Sequence, residues 1–207
     1  VTNTILYGTI AMSNQSSGVY LNISPNNTVE SNQTWKNAVY GLALYGSTNS
    51  LLRDNYSYIN SGPGIRMDLQ CHDTLVTNNR AAENNSDGFQ ISASERLLLI
   101  ENKSYSNIQA GFSFNFLNNS LMMNNCSHSN NAFGIYFTQS SNNIVNNNIS
   151  TRNMCINGYG LYITNGGFIY VTNNQFLSNG RRGIMMDANS SNNIIYGNLA
   201  LSNVSSG

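Results

Sequence analysis

Only 9% of the residues are charged, so the few ionisable groups that fall together stand out. Arg66 and Asp68 lie two residues apart, and Gln90 follows Arg66 by 24 residues. They form the one polar cluster at the outward positions, of the kind a cleft acting on a polysaccharide would hold. Asp68 and Arg66 are therefore the weak candidates for a catalytic pair. Hydrolysis of a sugar linkage needs two carboxylates about 5–10 Å apart across the bond. Asp87 could approach Asp68, although an Asp just before a Gly is ordinary turn chemistry. Asp187 stands alone. Tyr20, Tyr45, Tyr136 and Tyr162 join Arg66, Asp68 and Gln90 as candidate glycan-binding residues, because aromatic rings beside amides and carboxylates suit a sugar. The plainer alternative is that all of them are ordinary β-surface residues.

Soft ligands give less. Cys71, Cys126 and Cys155 have no metal-ligand spacing and fall at different places in the repeat described below. Free thiols are the expectation, ahead of an intermolecular disulfide. His72 and His128 are isolated. Met122 and Met123 with Cys126 and His128 form the one grouping of soft atoms, and Met122 is a core position by the repeat. No metal site and no cofactor are expected.

The elements that position these residues are written in nine glycines. Gly18, Gly41, Gly64, Gly88, Gly111, Gly134, Gly160, Gly183 and Gly207 are separated by 23, 23, 24, 23, 23, 26, 23 and 24 residues. A period in the low twenties marks a solenoid. After each of the first eight, apolar residues stand at the next position and two beyond it, as in Ile65 and Met67 or Phe112 and Phe114. This period of two marks a short strand with one face inward. Later in each repeat come two asparagines five apart, as in Asn32 and Asn37, Asn55 and Asn60, or Asn102 and Asn107. A small residue such as Thr34, Ser57 or Ser104 follows the first of each pair by two, except after Asn174, where Phe176 stands.

This length is too short for helical repeats, and the 39 asparagines among 207 residues are poor helix formers. The expectation is an all-β, single-stranded parallel β-helix of about nine coils of about 23 residues. Each coil would have three short strands, and like residues would stack in columns. The asparagines should form two ladders, one at each of two corners, bonding along the column and to the freed turn backbone. The column beginning at Asn32 is expected to be the more buried. The uninterrupted period makes residues 1–207 a single domain, either mature or a piece of a longer chain.

The pattern resembles the right-handed parallel β-helix repeats of pectate lyases, polygalacturonases, phage tailspikes and NosD-like proteins. It is closest to the Asn-rich NosD-like repeats, through runs such as Ser141-Asn142-Asn143-Ile144-Val145 and Ser191-Asn192-Asn193-Ile194-Ile195. The resemblance implies right-handed winding and a first sheet built from Gly18–Asn22 and its equivalents, whose outer face is where carbohydrate-active members work. It also implies an association with copper delivery, for which no ligand cluster is found. The catalytic motifs of polygalacturonases and the Asp-rich calcium cluster of pectate lyases are absent.

Formal net charge is zero, which argues against a nucleic-acid partner. No run of 18 apolar residues could span a membrane. Twelve N-x-S/T sequons occur. Eight coincide with ladder asparagines. The other four, Asn22, Asn26, Asn118 and Asn189, are the candidates for N-glycosylation. The balance favours a non-catalytic extracellular or cell-surface structural protein, a building block of a filament, sheath, surface layer or adhesin. It would associate with itself or with other surface proteins. A polysaccharide lyase, hydrolase or epimerase working on the first-sheet groove is the alternative, and a glycan-binding module the third reading.

Overall fold

The apolar dyads fold as strands, and the repeat closes on itself once per coil. The computed structural model describes residues 2–155 and 158–205, so Gly207 lies outside the described residues. Sheet 1 holds the strands that follow the repeat glycines, from Val19–Asn22 and Leu42–Tyr45 to Ile184–Met186. Sheet 2 runs from Ile5–Tyr7 through Thr28–Glu30 to Ile194–Tyr196, and sheet 3 from Ile10–Met12 through Gln33–Trp35 to Leu199–Leu201. They contain eight, nine and nine strands, each pairing only with the equivalent strand one coil away. All pairings are parallel and in register, as in Ile65 with Phe89 and Phe89 with Phe112.

Most strands have three or four residues. Phe89–Glu95 and Phe112–Asn118 have seven, longer than the repeat predicts. Ala93 and Phe116 take left-handed backbone inside them, so the chain begins to turn without leaving the ladder.

One residue face lines the interior. Phe89 stacks on Phe112 at 4.8 Å between ring centroids, and Phe114 on Phe137 at 4.7 Å. Both pairs are fully buried, with Ile65, Met67, Leu99 and Val145 in the same core. Burying each such side chain is worth about 1.5–3 kcal/mol.

The corners repay their cost through side chains. Two ladders are present. In the first, Asn32 Nδ2 donates to Asn55 Oδ1 at 2.9 Å, Asn55 to Asn79 at 2.8 Å and Asn79 to Asn102 at 3.0 Å. The same Nδ2 groups also donate back to strand carbonyls, as Asn55 does to Val29 O and Asn102 to Val76 O. The second ladder links Asn37, Asn60, Asn84, Asn107 and Asn130 in the same way. The two columns are equally buried, Asn79 and Asn84 both at 0% exposure. The expected difference in burial is therefore absent, because both corners face inward.

The ladder asparagines are not the left-handed residues. That conformation falls one position earlier, at Ser31, Asp54, Asn78 and Glu101 before the first ladder and at Lys36, Ile59 and Glu83 before the second. Each such residue costs roughly 1–2 kcal/mol, offset by the amide network beside it. A third corner, between sheets 1 and 2, mixes hydroxyls with amides such as Asn27 and Asn143. Ser24 N donates to Ser47 Oγ, Asn27 N to Ser50 Oγ and Leu97 N to Ser120 Oγ.

The repeat glycines answer to space. Gly88 has no unusual backbone, but a Cβ there would lie 1.9 Å from Ser104 Oγ and 2.8 Å from Gly111 O. Ser104 Oγ donates to Gly111 O at 2.8 Å, so the small residue and the glycine of the consensus are two halves of one contact.

Candidate functional site

Sheet 1 turns alternate residues outward, and parallel register stacks them. Tyr45 pairs with Asp68, Ala43 with Arg66, Arg66 with Gln90, Gln90 with Ser113, Ser113 with Tyr136 and Tyr136 with Tyr162. Four residues that immediately precede repeat glycines reach the same face, Tyr40, Asp87, Phe133 and Tyr159.

At the centre is one chain of hydrogen bonds. Arg66 Nη2 donates to Asp68 Oδ2 at 2.8 Å, and Asp68 Oδ1 accepts from Leu69 N at 2.8 Å. Arg66 Nη1 donates to Gln90 Oε1 at 2.9 Å. Gln90 Nε2 donates to Asp87 Oδ2 at 3.2 Å, and Ala110 N donates to Asp87 Oδ1 at 2.8 Å. Arg66 Nε is buried without a partner. The guanidinium lies over Tyr40 at 5.0 Å and Tyr45 at 5.6 Å, within cation–π reach. Burial works against its charge, but Asp68 and the two phenols outweigh that and raise its pKa.

Asp87 is 4% exposed. Burial pushes its pKa up to about 6, against the smaller opposing pull of the Ala110 N–H and the Gln90 amide. It lines a concavity of about 320 Å³ with Gln90, Gln109, Ser113, Phe133 and Tyr136. A buried carboxyl that lines a concavity and is joined to a cation through one amide is the arrangement expected of a proton-transfer group.

Aromatic clusters flank this centre. On one side Tyr20 meets Tyr45 at 5.3 Å and Tyr40 meets Tyr45 at 6.4 Å. Burial, ahead of the Tyr40 contact, raises the Tyr45 phenol above its ordinary range. On the other side Phe133, Tyr136, Tyr159 and Tyr162 pack at 4.8–5.9 Å. The rings contact one another, which leaves edges and hydroxyls as well as ring faces for a ligand. All seven sequence candidates thus lie on one face, with Arg66, Asp68 and Gln90 in direct contact. Tyr40, Phe133 and Tyr159 were missed. Their signal was in the sequence, as aromatic residues immediately before Gly41, Gly134 and Gly160.

Other features compete less well. A larger concavity, about 600 Å³, lies outside sheet 2 over Leu75, Leu98, Leu121 and Ile144. Its ionic group is an exposed pair, Arg96 Nε to Asp73 Oδ1 at 2.7 Å, with Glu95 also on Arg96. Solvent-screened pairs of this kind do little chemistry. Sheet 3 carries a second aromatic column, in which Trp35 stacks on Tyr58 and Tyr105 on His128. Asp187 accepts from Thr164 and Ser190, and Thr164 and Ser190 lower its carboxyl.

The soft-atom grouping does not converge. Met122 is in the core, while His128 lies flat on Tyr105 and contacts Ser129. Among the described residues no three His, Cys, Asp or Glu side chains gather, and Cys71, Cys126 and Cys155 are free thiols. Burial raises the Cys71 and Cys126 thiols. The residues present do not fit a copper centre. Of the sequon candidates, Asn22, Asn26 and Asn189 are exposed. Asn118 sits in a strand, its Oδ1 accepting from Ser141 N and Oγ.

Comparison with known proteins bears on the fold first. A family described as "Right handed beta helix region" matches residues 68–200, and one described as "Periplasmic copper-binding protein (NosD)" matches residues 1–126. No curated protein sequence matches. Among solved structures, the Azotobacter vinelandii mannuronan C-5 epimerase AlgE4 A-module aligns at TM-score 0.76 and 17% identity, over 89% of this chain and 58% of that one. A double mutant of the periplasmic alginate epimerase AlgG aligns at TM-score 0.84 and 18% identity, over 95% of this chain and 51% of that one. The DFA-IIIase of Arthrobacter chlorophenolicus A6 aligns at 0.63 and 13% identity, over 84% and 54%. The chain spans about half the length of these structures, and at such identity the likeness is one of fold.

Proposed function

This chain belongs to the right-handed β-helix family, sharing the NosD repeat over residues 1–126, and from that premise we propose that the outer face of sheet 1 holds a polysaccharide and acts on it at the Arg66–Asp87 centre. The observation that carries the reading is the continuous Asp68–Arg66–Gln90–Asp87 hydrogen-bonded chain between two aromatic clusters on one straight face. A polymer laid along that face meets rings at both sides and a charged node in the middle. The chemistry the node is equipped for is proton transfer, the class used by epimerases and lyases. Arg66 supplies a cation for a uronate carboxylate, and Asp87 supplies a buried carboxyl titrating near neutrality.

The carbohydrate enzymes among the structural neighbours support this reading over a purely structural role. The names of the NosD family and of AlgG support a periplasmic or extracellular place of action. A building block of a sheath or filament draws its support from the low charge, the uniform coils, the short corners and the lack of a familiar catalytic motif. A glycan array followed by assays for epimerisation and cleavage of uronate polymers tests the proposal. Binding or turnover lost in Arg66→Ala supports it. Ordered fibres in the electron microscope with no glycan bound would favour the structural role instead.

A further inference from the structure

The hydrogen-bond chain through sheet 1 has a direction, and its direction is set by one proton. Arg66 has only donors, so Gln90 must turn Oε1 toward it. That leaves Nε2 facing Asp87 and donating to the bare carboxylate oxygen Oδ2 at 3.2 Å, a bond that weakens when a proton on Oδ2 points back at it. Asp87 Oδ1 is held by Ala110 N at 2.8 Å, so an added proton goes to Oδ2. Donor then faces donor, and a half-turn of the Gln90 amide restores the bond with Oε1 toward Asp87. The turned amide presents Nε2 to Arg66 Nη1, which loses its acceptor. Arg66 Nε already lacks one.

We propose that Asp87 and Gln90 form a proton-operated specificity switch: protonating Asp87 turns Gln90 and frees Arg66 to pair with a carboxylate of an acidic polysaccharide. The inference rests on the proposed polysaccharide-binding face and adds the regulation of its carboxylate-binding cation. Electroneutrality supports it. With Asp87 ionised, Arg66 is already answered by Asp68 and Gln90. With Asp87 neutral, the site gains one unit of positive charge and an open donor edge. The other titratable groups facing Asp87 are few. Arg66 and Asp68 lie on Ile65–Asp68, Tyr136 lies across the concavity on Ile135–Thr138, and Phe112–Asn118 contributes none. Tyr40 and Tyr45 stand on the far side of Arg66. Asp87 is the one of these groups that hydrogen-bonds Gln90 with a carboxylate oxygen, so the switch is written on its proton.

Two measurements on the intact chain test it. The first is titration with oligogalacturonate and oligomannuronate by calorimetry from about pH 8 down to about pH 5. Affinity should rise about tenfold per pH unit above the Asp87 midpoint and level off below it. In Asp87→Asn the new amide keeps Ala110 N on its oxygen and offers a donor to Gln90, so it mimics the protonated state. That variant should bind tightly with a flat pH profile. In Gln90→Met the relay is cut, and the pH dependence should shrink to the residual effect of the Asp87 charge. A flat wild-type profile, or an Asp87→Asn profile as steep as the wild type, overturns the switch. The second is NMR of the free protein, following the Gln90 side-chain amide and the Arg66 guanidinium against pH. Both should move with a single midpoint that is absent in Asp87→Asn. Such movement without binding of any glycan would uphold the switch and overturn the polysaccharide reading. Static Gln90 and Arg66 signals would overturn the switch whatever the glycan does.

Discussion

Asn102 shows how much one side chain carries. Its Oδ1 accepts from both the backbone and the side chain of Asn79, and its Nδ2 donates to Val76 O and Asn125 Oδ1. Asn102→Ala leaves those buried groups unanswered and should cost at least about 1–3 kcal/mol in urea unfolding. Gly88→Ala should cost a similar amount, about 1–3 kcal/mol, because its Cβ must displace Ser104 Oγ and the Gly111 carbonyl. Asp87 behaves in the opposite sense from most acids. Its pKa rises from 3.8 to about 6 on folding, so the folded state holds the proton more tightly. Stability from this group is greatest below about pH 4 and falls through about pH 6, by about 3 kcal/mol in all. Melting temperature against pH should show that fall in the wild type and lose it in Asp87→Asn. The ladder residues were legible because their spacing recurs eight times. The left-handed residue before each was not, since Asp54, Lys36, Ile59 and Glu101 share no side-chain chemistry. The backbone alone defines that position.

Among the elements, sheet 1 does two jobs on its two faces. Inward, Phe112 stacks on Phe89 and lies 6.4 Å from Phe114. Phe112→Ala should destabilise by about 3–5 kcal/mol. Outward, Tyr136→Ala should leave the midpoint of unfolding nearly unchanged while weakening glycan binding, which calorimetry would separate. The alternation of inward and outward residues was readable in the sequence, and it placed Arg66, Asp68 and Gln90 together. The depth of Asp87 was not readable. It follows from the corner preceding Gly88, which tucks that side chain under Ala110 and Gln90, and nothing in a single Asp-Gly pair distinguishes a tucked carboxyl from an exposed one. The serine corner between sheets 1 and 2 also escaped, because Ser, Asn and Thr replace one another there from coil to coil.

For the whole molecule, stability is a sum over neighbouring coils, each completing the pairing of the next. Duplicating residues 88–110 adds one full period and keeps every column in register, so the longer chain should fold with an unchanged circular dichroism spectrum per residue. Duplicating half of that segment breaks the register and should not. The same register that makes the coils interchangeable aligns the outward residues of sheet 1 along one face, with rings at both sides of the Arg66–Asp87 hydrogen-bond chain. Hydrogen–deuterium exchange and chemical-shift mapping with uronate oligomers test that assignment most directly. Changes confined to Tyr45, Arg66, Gln90 and Tyr136 on sheet 1 are the predicted result. No perturbation, or one centred on Trp35 and Tyr58 of sheet 3, would contradict it.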